Sequence, residues 1–99
     1  MRDASFRLVR YEYPGPMART SSAAAAHIGS LISAERKKRS MSVDELAVAS
    51  KIDSSNIRCY EAGRAMMNVH SLVRIAEALE VDAGALLEGV SSEMFAQGR

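Results

Sequence analysis

Little in this 99-residue chain is spaced for covalent chemistry. Its one cysteine, Cys59, has only His27 and His70 as companions, too few for a zinc-type ligand cluster. Glu61 and His70 are the right types for acid–base work, but no nucleophile or third partner is arranged with them. A lone cysteine on a helix face is inert as a redox sensor unless its pKa is lowered. What the chain does space regularly is hydrogen-bond donors. With Ile57 set inward and each residue advancing ~100°, Ser55, Arg58, Cys59 and Ala62 fall on the outer face of a short helix, with Ser54 at its exposed N-terminal end. Such a face offers a guanidinium and hydroxyls to an anionic or hydrogen-bonding partner, and it requires neither catalysis nor a cofactor.

Composition points the same way. Charged residues make up 25% and apolar residues 47%, an ordinary globular balance with room for one small domain. The formal charge is only +1, but it is unevenly spread. Residues 1–64 are net basic. Residues 65–99 carry Glu77, Glu80, Asp82, Glu88 and Glu93 against Arg74 and Arg99. The asymmetry lets one face meet an anion while the acidic end points away. A single cysteine excludes an intrachain disulfide, no apolar run approaches the ~18–20 residues of a membrane helix, and no secretion signal is evident. A soluble, reducing, cytoplasmic setting is expected, with no membrane partner.

The elements that must position this face follow from hydrophobic spacing and capping residues. Residues 1–26 read as an N-terminal strand or arm and a linker. Phe6–Tyr13 has strand character, Pro14-Gly15-Pro16 breaks the chain, and Met17–Ala26 lacks an amphipathic period, although Ala23–Ala26 could extend the next helix backwards. Ile28, Leu31 and Ile32 predict a first helix from about His27 to Arg39. Ser42 with Glu45 is a capping-box pattern opening a second helix, Val43 to Ser50. Asp53 caps a third, Ser54 to Ala62, which Gly63 ends. Asn68 caps a fourth with a stripe of Leu72, Ile75, Ala76 and Leu79. Asp82 caps a short fifth with Leu86 and Leu87, which Gly89 ends. The expected architecture is all-α, with a helical domain over residues 27–89 and a tail over 90–99.

The second and third helices are joined only by Lys51, Ile52 and Asp53. A joint this short is helix-turn-helix geometry, in which one helix enters the major groove of DNA and the other crosses the backbone. Arg36 falls on the apolar face of the first helix, four residues after Ile32. It either pairs with Glu61, on the inward face of the third helix, or extends its stem so that the charge reaches water.

Ser42-Val43-Asp44-Glu45-Leu46-Ala47, Ile52-Asp53, Ile57, Glu61-Ala62-Gly63-Arg64 and Leu72–Leu79 followed by Val81 resemble, in register, the Cro/repressor-type (Xre) helix-turn-helix family over about residues 28–88. The resemblance implies a five-helix, lambda-repressor-like DNA-binding fold and an Arg36–Glu61 ion pair. Three positions depart from the family pattern. Lys51 stands where a turn glycine is usual, Val43 where a glutamine often follows the cap, and Met67 where a proline often precedes the fourth helix.

On this reading Ser54, Ser55, Arg58 and Cys59 are the base-reading candidates, with Arg58 suited to a bidentate contact on guanine. Ser42, Lys51, Asn56 and Arg64 are the candidates for the DNA backbone. Lys37, Lys38 and Arg39 read first as complements to a helix C-terminal dipole. Leu86, Leu87, Val90, Met94 and Phe95 are candidate dimer contacts. Phe6–Tyr13 either pairs as a strand or remains flexible, or Arg2, Arg7, Arg10 and Arg19 follow the minor groove as an arm. The function expected is a homodimeric, sequence-specific transcriptional regulator on an operator with two half-sites. The alternative is an antitoxin-like protein-interaction module with weak DNA binding and a protein partner.

Overall fold

Ser22 starts the first helix, several residues before the apolar period begins. Its side-chain oxygen accepts from the Ala25 amide at 3.1 Å, and α1 then runs Ala23–Lys38. The computed structural model describes residues 22–96. The expected strand at Phe6–Tyr13 and the arginines at 2, 7, 10 and 19 lie outside those residues. The alanine run is helix rather than linker because its small side chains permit close packing. Ala24 and Ala25 are buried, and the Ala26 backbone lies so near Gly63 that a Cβ there would come within 2.8 Å of it. Alanine also has the highest intrinsic helix propensity, so this turn needs no amphipathic stripe to form.

The next three helices begin where their caps stand. α2 is Val43–Ser50, and both halves of the Ser42–Glu45 capping box are made. α3 is Ser54–Glu61, with Asp53 accepting from the Ser55 amide. α4 is Val69–Leu79, with Asn68 accepting from the Ser71 amide at 2.8 Å. Each helix buries a short stripe in one core. Ile28 and Ile32 of α1, Leu46 of α2, Ile57 and Tyr60 of α3, and Leu72, Ile75, Ala76 and Leu79 of α4 meet there. Burying a side chain of Leu or Ile size contributes roughly 1.5–3 kcal/mol, so this cluster carries most of the stability of helices too short to persist alone.

The expected fifth α-helix is replaced by two short 3₁₀ turns, Ala83–Leu87 and Ser92–Phe95. Asp82 makes no side-chain cap bond, and Gly84 weakens the segment further. The segment ends where His27 Nε2, 2.6 Å from the Glu88 carbonyl oxygen, donates to it. Gly89 follows at φ 81°, a conformation that favours glycine. The C-terminal turns are thus tied back to α1, and Leu86 seals the core from below with no exposure.

Candidate nucleic-acid interface

The α2–α3 joint must reverse the chain within three residues. Lys51 does this in the left-handed region, at φ 61° and ψ 38°, where a non-glycine residue costs roughly 1–2 kcal/mol. Two features hold it there. Ile52 is buried and anchors the turn from inside. Arg74, reaching across from α4, donates through Nε to the Ser50 carbonyl at 3.0 Å and through Nη2 to the Lys51 carbonyl. These carbonyls close α2, so one guanidinium satisfies groups that the helix end leaves without partners. Replacing Arg74 by alanine is expected to cost about 1–2 kcal/mol in urea unfolding, as loss of charge-assisted bonds at a half-buried site. Lysine should restore little of this, because a single ammonium lacks the planar fork that reaches both oxygens.

A second clamp fixes α3 to α1. Arg36 Nε donates to Glu61 Oε2 at 2.7 Å and Nη2 to Glu61 Oε1 at 2.9 Å, a bidentate pair whose side chains are 12% and 11% exposed. Nη1 donates to the Met41 carbonyl at 2.8 Å, so the same group also fixes the α1–α2 loop. Hydrogen bonding to Glu61 raises the Arg36 pKa against the opposing effect of burial. Gly29, two turns earlier on the same face of α1, lets that helix approach the end of α3 backbone to backbone.

The outer face of α3 carries Ser55 and Arg58 in the open, with Ser54 and Asn56 half-buried beside them. Lys51, before α3, and Arg64, just after Gly63, are both exposed. Three expectations need correction. Cys59 does not project freely. It is half-buried, packs against the core cluster, and has Arg64 Nη2 3.9 Å from its sulfur. The Ser42 amide is not free for phosphate, and only the hydroxyl hydrogen remains to donate. That amide donates to Glu45 Oε1 at 2.8 Å and the Ser42 hydroxyl oxygen accepts from the Glu45 amide at 3.0 Å, so the anion at this helix start is the protein's own. Leu86 is wholly inside the monomer and cannot be a dimer contact.

The remaining C-terminal apolar residues are differently placed. Leu87 is 39% and Phe95 47% exposed, and with Ile28, Met66, Met67 and Val69 they line an apolar groove. Val90 and Met94 are half-buried. At the end of α1, Glu35 pairs with Arg39 at 2.6 Å and with Lys38 at 3.2 Å. The Arg39 hydrogen bond and then the Lys38 one hold the Glu35 carboxyl below its ordinary value. That basic run is therefore partly neutralised where it stands.

Sequence reading misses two residues beside the α2–α3 joint. Arg74 caps the turn from more than twenty residues away, and only the glycine-to-lysine departure at position 51 signals that such a turn needs support. Asp44 lies with its Oδ1 3.6 Å from Arg58 Nη2, across the joint. In sequence it is one of two acids in a helix's first turn. Among the described residues no group of three or more His, Cys, Asp or Glu is placed to hold a metal, and no helix is long and apolar enough to cross a membrane.

Two short helices set around a three-residue joint, with the second presenting its donors outward, define a helix-turn-helix DNA-binding domain. Residues 32–86 match the family model HTH_3, helix-turn-helix, and the chain belongs to that family of Cro/repressor-type transcriptional regulators rather than to an enzyme family. No curated relative matches the sequence. Among solved structures, the chain is similar to the restriction-modification controller protein C.AhdI from Aeromonas hydrophila, with 22% identity and TM-score 0.62 over 63% of this chain and 94% of that one. It is similar to the controller protein C.Esp1396I, with 25% identity and TM-score 0.60 over 65% and 83%. It is also similar to SinR, a master regulator for biofilm formation described in complex with DNA, with 26% identity and TM-score 0.59 over 62% and 98%.

Proposed function

We propose that this protein is a sequence-specific DNA-binding transcriptional regulator acting as a homodimer on an operator of two half-sites. The observation that carries the reading is the outer face of α3. Arg58, Ser54 and Ser55 stand together there, flanked by Lys51 and Arg64 and backed by two arginine clamps. Arg58 is the base reader, through a bidentate contact to guanine. Lys51, Asn56 and Arg64 hold the backbone, and the charges of Lys51 and Arg64 set the salt dependence. The described complex of SinR with DNA supports the same use of the fold.

Dimerisation is expected because one recognition helix with so few large readers binds weakly, and two half-sites ~34–36 Å apart multiply its effect. Leu87 and Phe95, with Val90 and Met94 beside them, supply the apolar surface for it. The same groove favours the second reading, a helix-turn-helix protein-interaction module, in which it holds a different protein.

Selection of bound sequences from random DNA at two salt concentrations decides between them. The expected result is an enriched inverted repeat with half-site centres one helical turn apart. No recovery at low salt would move the assignment to the interaction module. Once a site is known, Arg58→Ala should relax preference at one base position, a loss of ~1–3 kcal/mol of discrimination. Arg64→Ala should instead weaken all sequences alike and reduce the salt slope by about one. Identical behaviour of the two variants would overturn the division into reader and backbone contact.

A further inference from the structure

Asp44 has an ordinary explanation, since acids in a first turn offset the helix dipole. Its neighbour Glu45 already sits there and closes the capping box. Asp44 lies instead beside the Arg58 guanidinium, with Oδ1 3.6 Å from Nη2. On the other side, Arg58 Nη1 donates to Ser54 Oγ at 3.4 Å. Both charged side chains stand in water, Arg58 at 57% and Asp44 at 76% exposed. Among the described residues this is the ion pair that joins α2 to α3. The group best suited to read DNA therefore lies beside an anion on the preceding helix and donates to a hydroxyl at the start of its own.

We infer that Asp44 is a specificity-determining residue that positions Arg58 for a guanine edge in duplex DNA. The inference rests on the assignment of α3 as the base-reading helix. A guanidinium has five N–H donors in a rigid fork. Ser54 accepts from one nitrogen and the Asp44 charge lies 3.6 Å from another, which biases the side chain among its many rotamers and leaves donors for the guanine O6 and N7. Restricting a side chain before binding lowers the cost of using it in the complex. The carboxylate has a second effect. A free arginine at a DNA surface takes the nearest phosphate whatever base lies opposite, and that contact carries no sequence information. Asp44 neutralises Arg58 locally and is itself repelled by phosphates, so the use of Arg58 for sequence-independent binding is suppressed.

The test compares full-length wild type, Asp44→Asn, Arg58→Ala and the double variant. The probes are a duplex carrying the site enriched by wild type, its single-base-pair variants, and a random-sequence duplex. All are measured at a temperature where melting curves show every variant folded. Asp44→Asn is expected to lose about threefold to tenfold discrimination at one base position, the position that Arg58→Ala also affects, with the other positions unchanged. The random duplex should bind about twofold to fivefold more tightly. The double variant should show the Arg58→Ala profile. Equal tightening on every duplex would reduce Asp44 to a repelling charge and overturn the inference. A change at a different base position would make Asp44 a reader in its own right and overturn it too. If wild type enriches a site and Asp44→Asn has the same profile, the inference alone fails. If wild type enriches nothing at low salt, the base-reading assignment fails and takes the inference with it.

Discussion

Replacing either Arg36 or Glu61 by alanine is expected to destabilise the fold by about 3–5 kcal/mol, because each change strands the partner's charge in a nearly closed site. The pair is bidentate and short, and Arg36 also satisfies the Met41 carbonyl. Loss of Arg36 therefore leaves a carboxylate and a loop carbonyl without their donor. Loss of Glu61 leaves a guanidinium held only by that carbonyl. For a domain of this size each kcal/mol moves Tm by roughly 4–8 °C, so thermal melts should resolve the effect without extrapolation. Removing both charges behaves differently. A double substitution to apolar residues of similar size, such as Arg36→Met with Glu61→Leu, should recover much of the loss, since no buried charge is then left alone. Urea unfolding of the two single variants and the double one measures this. Losses below ~1 kcal/mol in both single variants would mean that water reaches the pair freely and that it does not hold α1 to α3.

How much of this was legible depended on how local each cause is. α2, α3 and α4 begin at Ser42, Asp53 and Asn68, whose side chains bond amides two or three residues on, and such caps are read directly from sequence. The stripe of α4 is legible for the same reason, because one helix decides it. The start of α1 was obscured because four alanines show no amphipathic contrast. Their role appears only when the end of α3 is set against them. The sequence overstates the fifth helix, since Leu86, Leu87 and an Asp cap resemble a helix but a glycine sits among five residues and His27 ends the segment from a distance. Leu86 reads as an outer residue because its position alone does not say which side of a short turn the core occupies. Helical angle turns Cys59 outward, and a place at a helix start offers the Ser42 amide to an anion. Neither signal shows that a neighbour or the cap itself already occupies the group. Arg74 and Asp44 act across gaps between helices, and no spacing rule within one element marks them.

The same distinction between local and non-local causes makes Gly29→Ala the most informative single change outside the ion pair. By propensity alone it should stabilise α1 by about 1 kcal/mol, since glycine in mid-helix is unfavourable. The packing predicts the opposite sign. A Cβ at position 29 would lie 2.2 Å from the Tyr60 carbonyl oxygen and 2.8 Å from that of Glu61, and both obstacles are backbone. The Tyr60 carbonyl accepts from the Gly63 amide at the close of α3, so pushing it aside disturbs the end of that helix. Gly29 and Arg36 are seven residues apart, two turns along one face. An α1 displaced at Gly29 is therefore also lifted at Arg36, and the bidentate contact to Glu61 must stretch. Overpacking alone costs about 1–3 kcal/mol, and the coupled strain on the pair should bring the net loss to about 3 kcal/mol. Gly84→Ala supplies the control, because nothing lies within 4 Å of a Cβ there. It should be neutral or slightly stabilising, by up to roughly 1 kcal/mol through the unfolded chain. A Gly29→Ala protein as stable as wild type in the same denaturation series would show that α1 can move off α3 without cost. The depth of that helix would then be set by the apolar core alone, and the alanine run with Gly29 would have no special part in seating α3.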